Sequence, residues 1–516
     1  MWGTANFFII TFKGQPIVPA DLFALGTAAS VAGGYSLFLT GRLVFCWALF
    51  AAYCVALAKL CPQRKRARWD VAANVLAAAL LVCLGTMQYQ AIDIKSDCDV
   101  TVDVWDVRGS YATQGTALCF LSRAQELTPK PPEGYSAEAV DAILAPFAED
   151  PLTGTDGTVA ESPSPDTTGN QNSAAPTTGD AAPEQPEALP YDGPNVIAIM
   201  NETFSDLRVL GEFATNKDYM PFTRSLTRNT IKGNLYMPVN GAGTSNSEFE
   251  FLTGNTMAFL TAGSNAYELY IKSKLPSLAQ TLAAQNYSRS ALHVYYRTSW
   301  QRDVNYPLLG YERFDSIESF IDNDAIDEYR NGNKSFLDFQ AAVKAQYPND
   351  NVLLRSFVSD EFDYKLLEQM YEERDTSKPF HIFNVTMQNH GSYNSGYTNF
   401  NQQIRLTSMD EYYPAANRYL SLMYESDQAF KHLVEYFSKV KEPTIICMFG
   451  DHQPNVETKF VESLLGEEIS DLSLEQRQKR FATPFVIWAN YNIEESYVDK
   501  MSANYLSTLL LQTADL

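Results

Sequence analysis

A glycine-flanked run of hydroxyls, Gly241-Ala-Gly-Thr-Ser-Asn-Ser247, follows a short apolar stretch and opens an amphipathic segment. Glycines let backbone approach a ligand closely, and Thr244, Ser245 and Ser247 fall where a helix begins with its N–H groups unpaired, a place suited to phosphate or sulfate. A Ser/Thr cap after a glycine turn is the simpler account of the same residues. Three other segments bear on the choice. Glu202 follows the apolar run 196–200, His390 follows 380–385, and Asp451-His452 follows 444–449. Two carboxylates, an imidazole and the Thr244 hydroxyl form a reasonable ligand set for a divalent cation, and three oxygens with one nitrogen favour Mn or Mg over a thiolate-type zinc site. A threonine hydroxyl is a poor nucleophile until a cation lowers its pKa and fixes it in line with an electrophilic phosphorus. His390, in Gln-Asn-His-Gly, would then bind a phosphate oxygen or protonate a leaving alkoxide. The stretch from His293 to Asp303 adds Arg297, Arg302 and Trp300, a bidentate phosphate grip and a flat wall for a small polyol, with a surface cluster packed on itself as the competing account. His381 and His432 read as structural.

Such residues converge only if the elements beneath them run the same way. Short buried-type strands are expected over 196–200, 234–239, 290–294, 380–385, 444–449 and 483–488, with helical stretches between them such as 275–285. That alternation predicts an α/β fold with a mostly parallel central sheet, whose ligand site gathers at the carboxyl ends of the strands. Nucleotide phosphate loops, dinucleotide-binding glycine patterns and the Gly-x-Ser-x-Gly nucleophile elbow are all missing from the sequence.

The chain has 516 residues, 45% hydrophobic and 19% charged, with a formal charge of −22. Residues 1–95 hold 8 Lys/Arg and 3 Asp/Glu, so the remaining 31 basic and 58 acidic residues give the rest of the chain about −27, which argues against nucleic-acid binding through a broad basic face. Two apolar segments, about 42–60 and 71–88, are expected to cross a membrane. The loop between them carries Arg64, Lys65, Arg66 and Arg68, placing it in the cytoplasm and everything after Gln88 outside. The Pro-rich stretch 12–23 is suited to a loop at the membrane surface, and residues 105–121 to an interfacial piece. Residues 149–190 have the composition of a flexible linker. The expected organisation is therefore a membrane region over 1–130, a connecting helix and linker over 131–193, and an extracytoplasmic catalytic domain over 194–516. Cys98 and Cys119 could pair in an oxidising compartment, and no zinc-type cysteine spacing occurs.

Asn195-Val-Ile-Ala-Ile-Met-Asn-Glu-Thr-Phe-Ser205, Gly243-Thr-Ser-Asn-Ser-Glu-Phe249, Leu252-Thr-Gly-Asn255, His293 to Arg302, Asn389-His-Gly391 and Phe449-Gly-Asp-His452 together resemble the lipoteichoic acid synthase and phosphoglycerol transferase family of the sulfatase, alkaline phosphatase-like superfamily. The resemblance implies that Glu202, Thr244, Asp451 and His452 hold manganese or magnesium, with Thr244 the nucleophile. It also implies that Trp300, Arg302, His390 and His293 bind the glycerophosphate group. On that basis Thr244 attacks phosphatidylglycerol, diacylglycerol leaves, and the glycerophosphate passes to a glycolipid or glycerophosphate-polymer hydroxyl, all at a cell membrane crossed more than once. Better-known members have Lys where Gly243 stands, Asp at Asn246 and an acid at Tyr295, and they usually have five spans where two are found here. The alternatives are a phosphoethanolamine transferase or other metal-dependent phosphodiesterase or sulfatase on the same scaffold, although the Cys/Ser-x-Pro-x-Arg sulfatase pattern is missing, and a non-catalytic receptor for glycerophosphate polymers.

Overall fold

The computed structural model describes residues 2–13, 15–25, 39–60, 68–103, 107–129, 131, 134–145, 193–261, 263–393 and 396–516. The expected linker and the basic loop at 64–67 lie outside these residues. Among the described residues ten strands are formed: β1 Asn195–Asn201, β2 Thr230–Tyr236, β3 Ser288–His293, β4 Arg313–Ser316, β5 Leu353–Leu354, β6 Phe357–Val358, β7 Phe380–Val385, β8 Thr444–Gly450, β9 Ala482–Ala489 and β10 Ser496–Ser502. Eight of them make one sheet in the order β10-β2-β9-β8-β1-β7-β3-β4, while β5 and β6 pair separately. Every pairing in the large sheet is parallel except those of β9 with β2 and β8.

The central strands are apolar because both faces of the sheet are covered. Along β1, Ile197 and Ile199 join one core cluster, and Val196, Ala198 and Met200 join the other. A one-residue slip would exchange the two sets, so burial on both sides fixes the register. Six helices matter below: α1 Trp2–Lys13, α2 Gly41–Leu60, α3 Arg68–Ala91, α4 Thr244–Thr253, α5 Asp360–Glu372 and α6 Pro414–Phe437.

The expected α/β class and mostly parallel sheet are present. Boundaries moved where local chemistry overrides hydropathy. The strand expected over 234–239 is β2 at 230–236, since Pro238 has no N–H for the ladder and Gly241 and Gly243 turn the chain with φ of +77° and +102°. The helix expected over 275–285 is Leu278–Ala284, started by Ser277, which accepts from the Gln280 N–H.

Windows of 20 residues in α2 and α3 are long and apolar enough to cross a membrane. The Pro-rich stretch is partly turned inward rather than laid on a surface. Ile17, Val18 and Ala20 are buried, and Val18 and Ala20 pack with Ile94, Tyr111 and Cys119. Asp21 caps the turn by accepting from the Val18 N–H at 2.9 Å and the Lys13 ammonium at 2.6 Å. Residues 107–125 form two short helices on the same cluster, while Trp105 lies outside the described residues. Cys98 and Cys119 are free thiols, the first exposed and the second buried. The described residues between 128 and 145 belong to a separate unit, in which Ala137–Leu144 is a helix capped by Ser136.

Candidate active site

The sheet delivers its chemistry where β1, β7 and β8 end. β1 stops at Asn201, and Thr203 adopts φ of +54°, uncommon for a side chain with a branched Cβ. This turn leaves Glu202 buried and pointing into the space beyond the strands. β8 stops at Gly450, where a Cβ would meet the Phe204 carbonyl oxygen at 1.8 Å, so only glycine lets the two strand ends lie this close. Asp451 and His452 follow directly. One ligand atom each from Glu202, Asp451 and His452 lie within 4.8 Å of one another.

Thr244 arrives from the other side. Gly243, in left-handed backbone, precedes the first residue of α4, and a Cβ there would meet Val239 Cγ1 at 3.0 Å. The glycine turn thus sets the Thr244 hydroxyl 3.4 Å from Glu202 Oε2. The neighbouring serines face elsewhere. Ser247 donates to the Asp451 carbonyl at 2.7 Å, and Ser245 accepts from Asn265 Nδ2 at 2.7 Å. Asn246 uses both ends of its amide on backbone, donating to Ser264 and accepting from the Ala266 N–H.

The fit to a divalent cation rests on the state of these groups. Asp451 Oδ1 accepts from the Thr203 N–H at 2.6 Å, but the buried Oδ2 has no hydrogen-bond partner. A buried carboxylate oxygen without a partner is costly, and a cation would satisfy it. Burial, and next the charge of Glu202, push Asp451 up to about 6. Burial likewise raises Glu202, partly offset by His452. His452 Nδ1 lies 2.9 Å from the Gln453 carbonyl, which leaves Nε2, 3.3 Å from Asp451 Oδ2, as the nitrogen that would face a cation. The residues fit a hard divalent ion.

His390 sits half-buried beyond β7. Its Nδ1 donates to the Gly391 carbonyl at 2.8 Å, so Nε2 holds the lone pair. Burial foremost, with the positive surroundings of His452 and Arg355, brings its pKa down to about 4. Trp300 lies in left-handed backbone, φ +56°, followed by Gln301 at +55°, two successive unfavourable residues of the kind that gather at functional sites.

Arg302 and His293 are present but committed. Arg302 is fully buried and paired to Glu248, whose other oxygen accepts from Tyr306 at 2.8 Å and Tyr267 at 3.1 Å. Arg302 also donates through Nη1 to His293 Nε2 at 3.0 Å, while His293 Nδ1 donates to the Val385 carbonyl at 2.9 Å. The guanidinium read as a phosphate grip is therefore held chiefly by protein, though both residues still line the cleft.

A polar network behind the strand ends went unread in the sequence. Asp360, at the start of α5, accepts from Asn201 Nδ2 at 2.8 Å and Ser426 Oγ at 2.5 Å, and its N–H donates to Gln388 Oε1 at 3.0 Å. Asn389 bridges Asn201 and Ser426. The network ties the residue before Glu202 to the residue before His390. Its one local signal is an asparagine beside each of those two residues.

The site opens into a cleft of about 900 Å³ lined by Glu202, Thr244, His293, Trp300, Arg302, His390 and His452, together with residues from the first 25 of the chain.

Acids, an imidazole and a hydroxyl thus meet at the strand ends of a mostly parallel α/β sheet. Residues 194–516 match the sequence model of the sulfatase family, and the chain belongs to that family. Lipoteichoic acid synthases and a glucan-modification protein are among the proteins it is similar to. A putative cyclic beta-1,2-glucan modification protein of Rhizobium meliloti is 27% identical over 80% of this chain and 54% of its own length. Lipoteichoic acid synthase 1 of Bacillus subtilis is 25% identical over 56% of this chain and 41% of its own. The chain thus spans about half the length of the curated relatives it matches. Among solved structures, the Streptococcus pyogenes phosphoglycerol transferase GacH, determined with sn-glycerol-1-phosphate, aligns with a TM-score of 0.49 at 18% identity, covering 64% of this chain and 77% of that one.

Proposed function

We propose that this chain is a membrane-bound transferase that moves glycerophosphate from phosphatidylglycerol to an acceptor hydroxyl through an ester on Thr244, with its catalytic domain, residues 194–516, outside the cytoplasm. The observation that carries the reading is the approach of Thr244 Oγ1 to the Glu202, Asp451 and His452 trio at the mouth of one cleft. Those four residues would hold Mn or Mg, which supplies charge neutralisation at phosphorus and a lower pKa for the hydroxyl it binds. The α2 and α3 helices keep the site near its lipid.

Thr244 is oriented by the Gly243 turn and loses its hydroxyl proton as its oxygen bonds to phosphorus. The phosphorus–oxygen bond to diacylglycerol breaks, and diacylglycerol leaves with a proton. In the second half the acceptor oxygen displaces Thr244, which regains its proton. His390 is suited to the proton movements: its depressed pKa keeps Nε2 available as a base at neutral pH, and an arriving phosphodiester anion would raise that pKa toward an acid's range. Trp300 walls the head-group end, and Arg302 holds His293 in one tautomer behind it. The acceptor class divides two ways. The motifs point to a glycerophosphate polymer or glycolipid, and the putative glucan-modification relative favours a glycan hydroxyl.

Purified protein with Mn and head-group-labelled phosphatidylglycerol is expected to release diacylglycerol, with phosphatidylethanolamine as the competing donor. Equal release by Thr244→Ala, or faster turnover of the ethanolamine lipid, would contradict the proposal.

A further inference from the structure

The cleft is amphiphilic. Beside the carboxylates and imidazoles described above, its lining takes the apolar Ile9, Ala24 and Leu25 from near the start of the chain and Met257, Ala258 and Leu260 from the turn after α4, with Lys13, Asp21 and Thr256 among them. Its volume of about 900 Å³ is at the upper end for small-ligand pockets, more than a glycerophosphate group fills. Large side chains of these two segments are left in the open: Phe259 is 89% exposed, Leu25 63% and Phe23 56%. These exposed groups sit on two separate segments beside one cavity, which is the pattern of an interaction site rather than of scattered surface residues.

Ile9 and Lys13 belong to α1, and Thr4 of α1 accepts from Trp47 Nε1 of α2 at 3.1 Å. The facing turn is fixed to the reaction centre through Glu250 of α4, which accepts from the Met257 N–H at 2.7 Å and Thr256 Oγ1 at 3.1 Å.

We infer that the acyl chains of a glycerophospholipid donor lie between Ile9, Ala24 and Leu25 and the Met257–Leu260 turn, so that these three residues near the start of the chain complete the substrate site. This rests on the lipid-donor reading above and adds to it the place where the tails bind. Phe259 and Leu25 act as the lip over which the chains pass from bilayer to cleft.

Full-length protein carrying Phe259→Glu or Leu25→Glu should be assayed with dioleoyl-phosphatidylglycerol in vesicles and with dihexanoyl-phosphatidylglycerol as a dispersed monomer. The expected result is a fall of about ten- to a hundred-fold in the ratio of long-chain to short-chain kcat/KM, the scale of losing one buried apolar side chain. The ratio cancels any general loss of folded enzyme. An unchanged ratio in both variants overturns the inference. Photocrosslinking with a phospholipid bearing a diazirine at its acyl end supplies a readout without turnover, and crosslinks are expected on residues 9, 24–25 and 257–260. Crosslinks confined to other segments overturn it. Expected crosslinks without diacylglycerol release from wild type would sink the transfer reading and leave the groove standing.

Discussion

At the scale of single residues, the site separates groups that face substrate from groups that hold them there, and the two behave differently when removed. Thr244→Ala should lower diacylglycerol release by about a thousand-fold or more, as loss of a nucleophile does, with only a small fall in melting temperature because a single hydroxyl and methyl are removed and the 3.4 Å contact with Glu202 is long. Arg302→Ala should do both. It strips the partner from Glu248, a carboxylate with no solvent exposure, and an uncompensated buried charge costs about 3–5 kcal/mol. Thermal denaturation tests this, since an unchanged melting temperature would return Arg302 to a purely substrate-binding role. The meeting of Thr244, Glu202, Asp451 and His452 was legible in the sequence because Glu202 and Asp451-His452 follow strands at once and Thr244 follows one through a glycine turn, and strand ends in a parallel sheet point one way. The duties of Arg302 were not, because its partner Glu248 lies 54 positions away on another element and no local pattern links them.

At the scale of elements, α4 does two jobs from its two ends. Its first residue presents Thr244, and near its other end Glu250 holds the Thr256–Met257 turn. Burial pushes Glu250 up to about 7, above its ordinary 4.5. The stability it contributes is therefore whole below about pH 4.5 and is lost as pH rises through about 7, up to about 3 kcal/mol from the size of the shift. Denaturant midpoints measured from pH 5 to 8 should fall more steeply for wild type than for Glu250→Gln, and parallel curves would remove Glu250 from this role. The Asp360 network makes the parallel case for β1 and β7. Asn201→Ala leaves Asp360 Oδ2 and Asn389 Nδ2 each short of a partner, at about 1–3 kcal/mol for each such group. It should also lower kcat by displacing Glu202 and His390, with Asn201→Asp as a variant that keeps an acceptor for Asn389. Strand identity was readable from apolar runs bounded by polar residues. Strand ends were not readable to the residue where Pro238 and the left-handed glycines cut β2 short, because hydropathy carries no record of a missing N–H or a positive φ.

At the scale of the whole molecule, the chain joins apolar helices, a small packed cluster around Val18 and Ile94, and a sulfatase-family domain. Class and sheet type followed from alternating strands and helices. The inward turn of residues 17–20 did not, since a Pro-rich amphipathic stretch has the same composition whether it lies on a bilayer or packs against protein. A metal requirement should also show at this scale: chelation is expected to lower the melting temperature and abolish transfer, and Mn to restore both, because the cation relieves the repulsion of two buried carboxylates. A chelated protein that melts and turns over unchanged would remove the metal from the account. In the proposed reaction Thr244 is transiently esterified, and mass spectrometry of peptides from protein quenched during turnover of phosphatidylglycerol reads that ester. A mass increase of one glycerophosphoryl unit is expected on Thr244, and turnover with that unit on Ser245, on Ser247 or on no residue would rule the ester out.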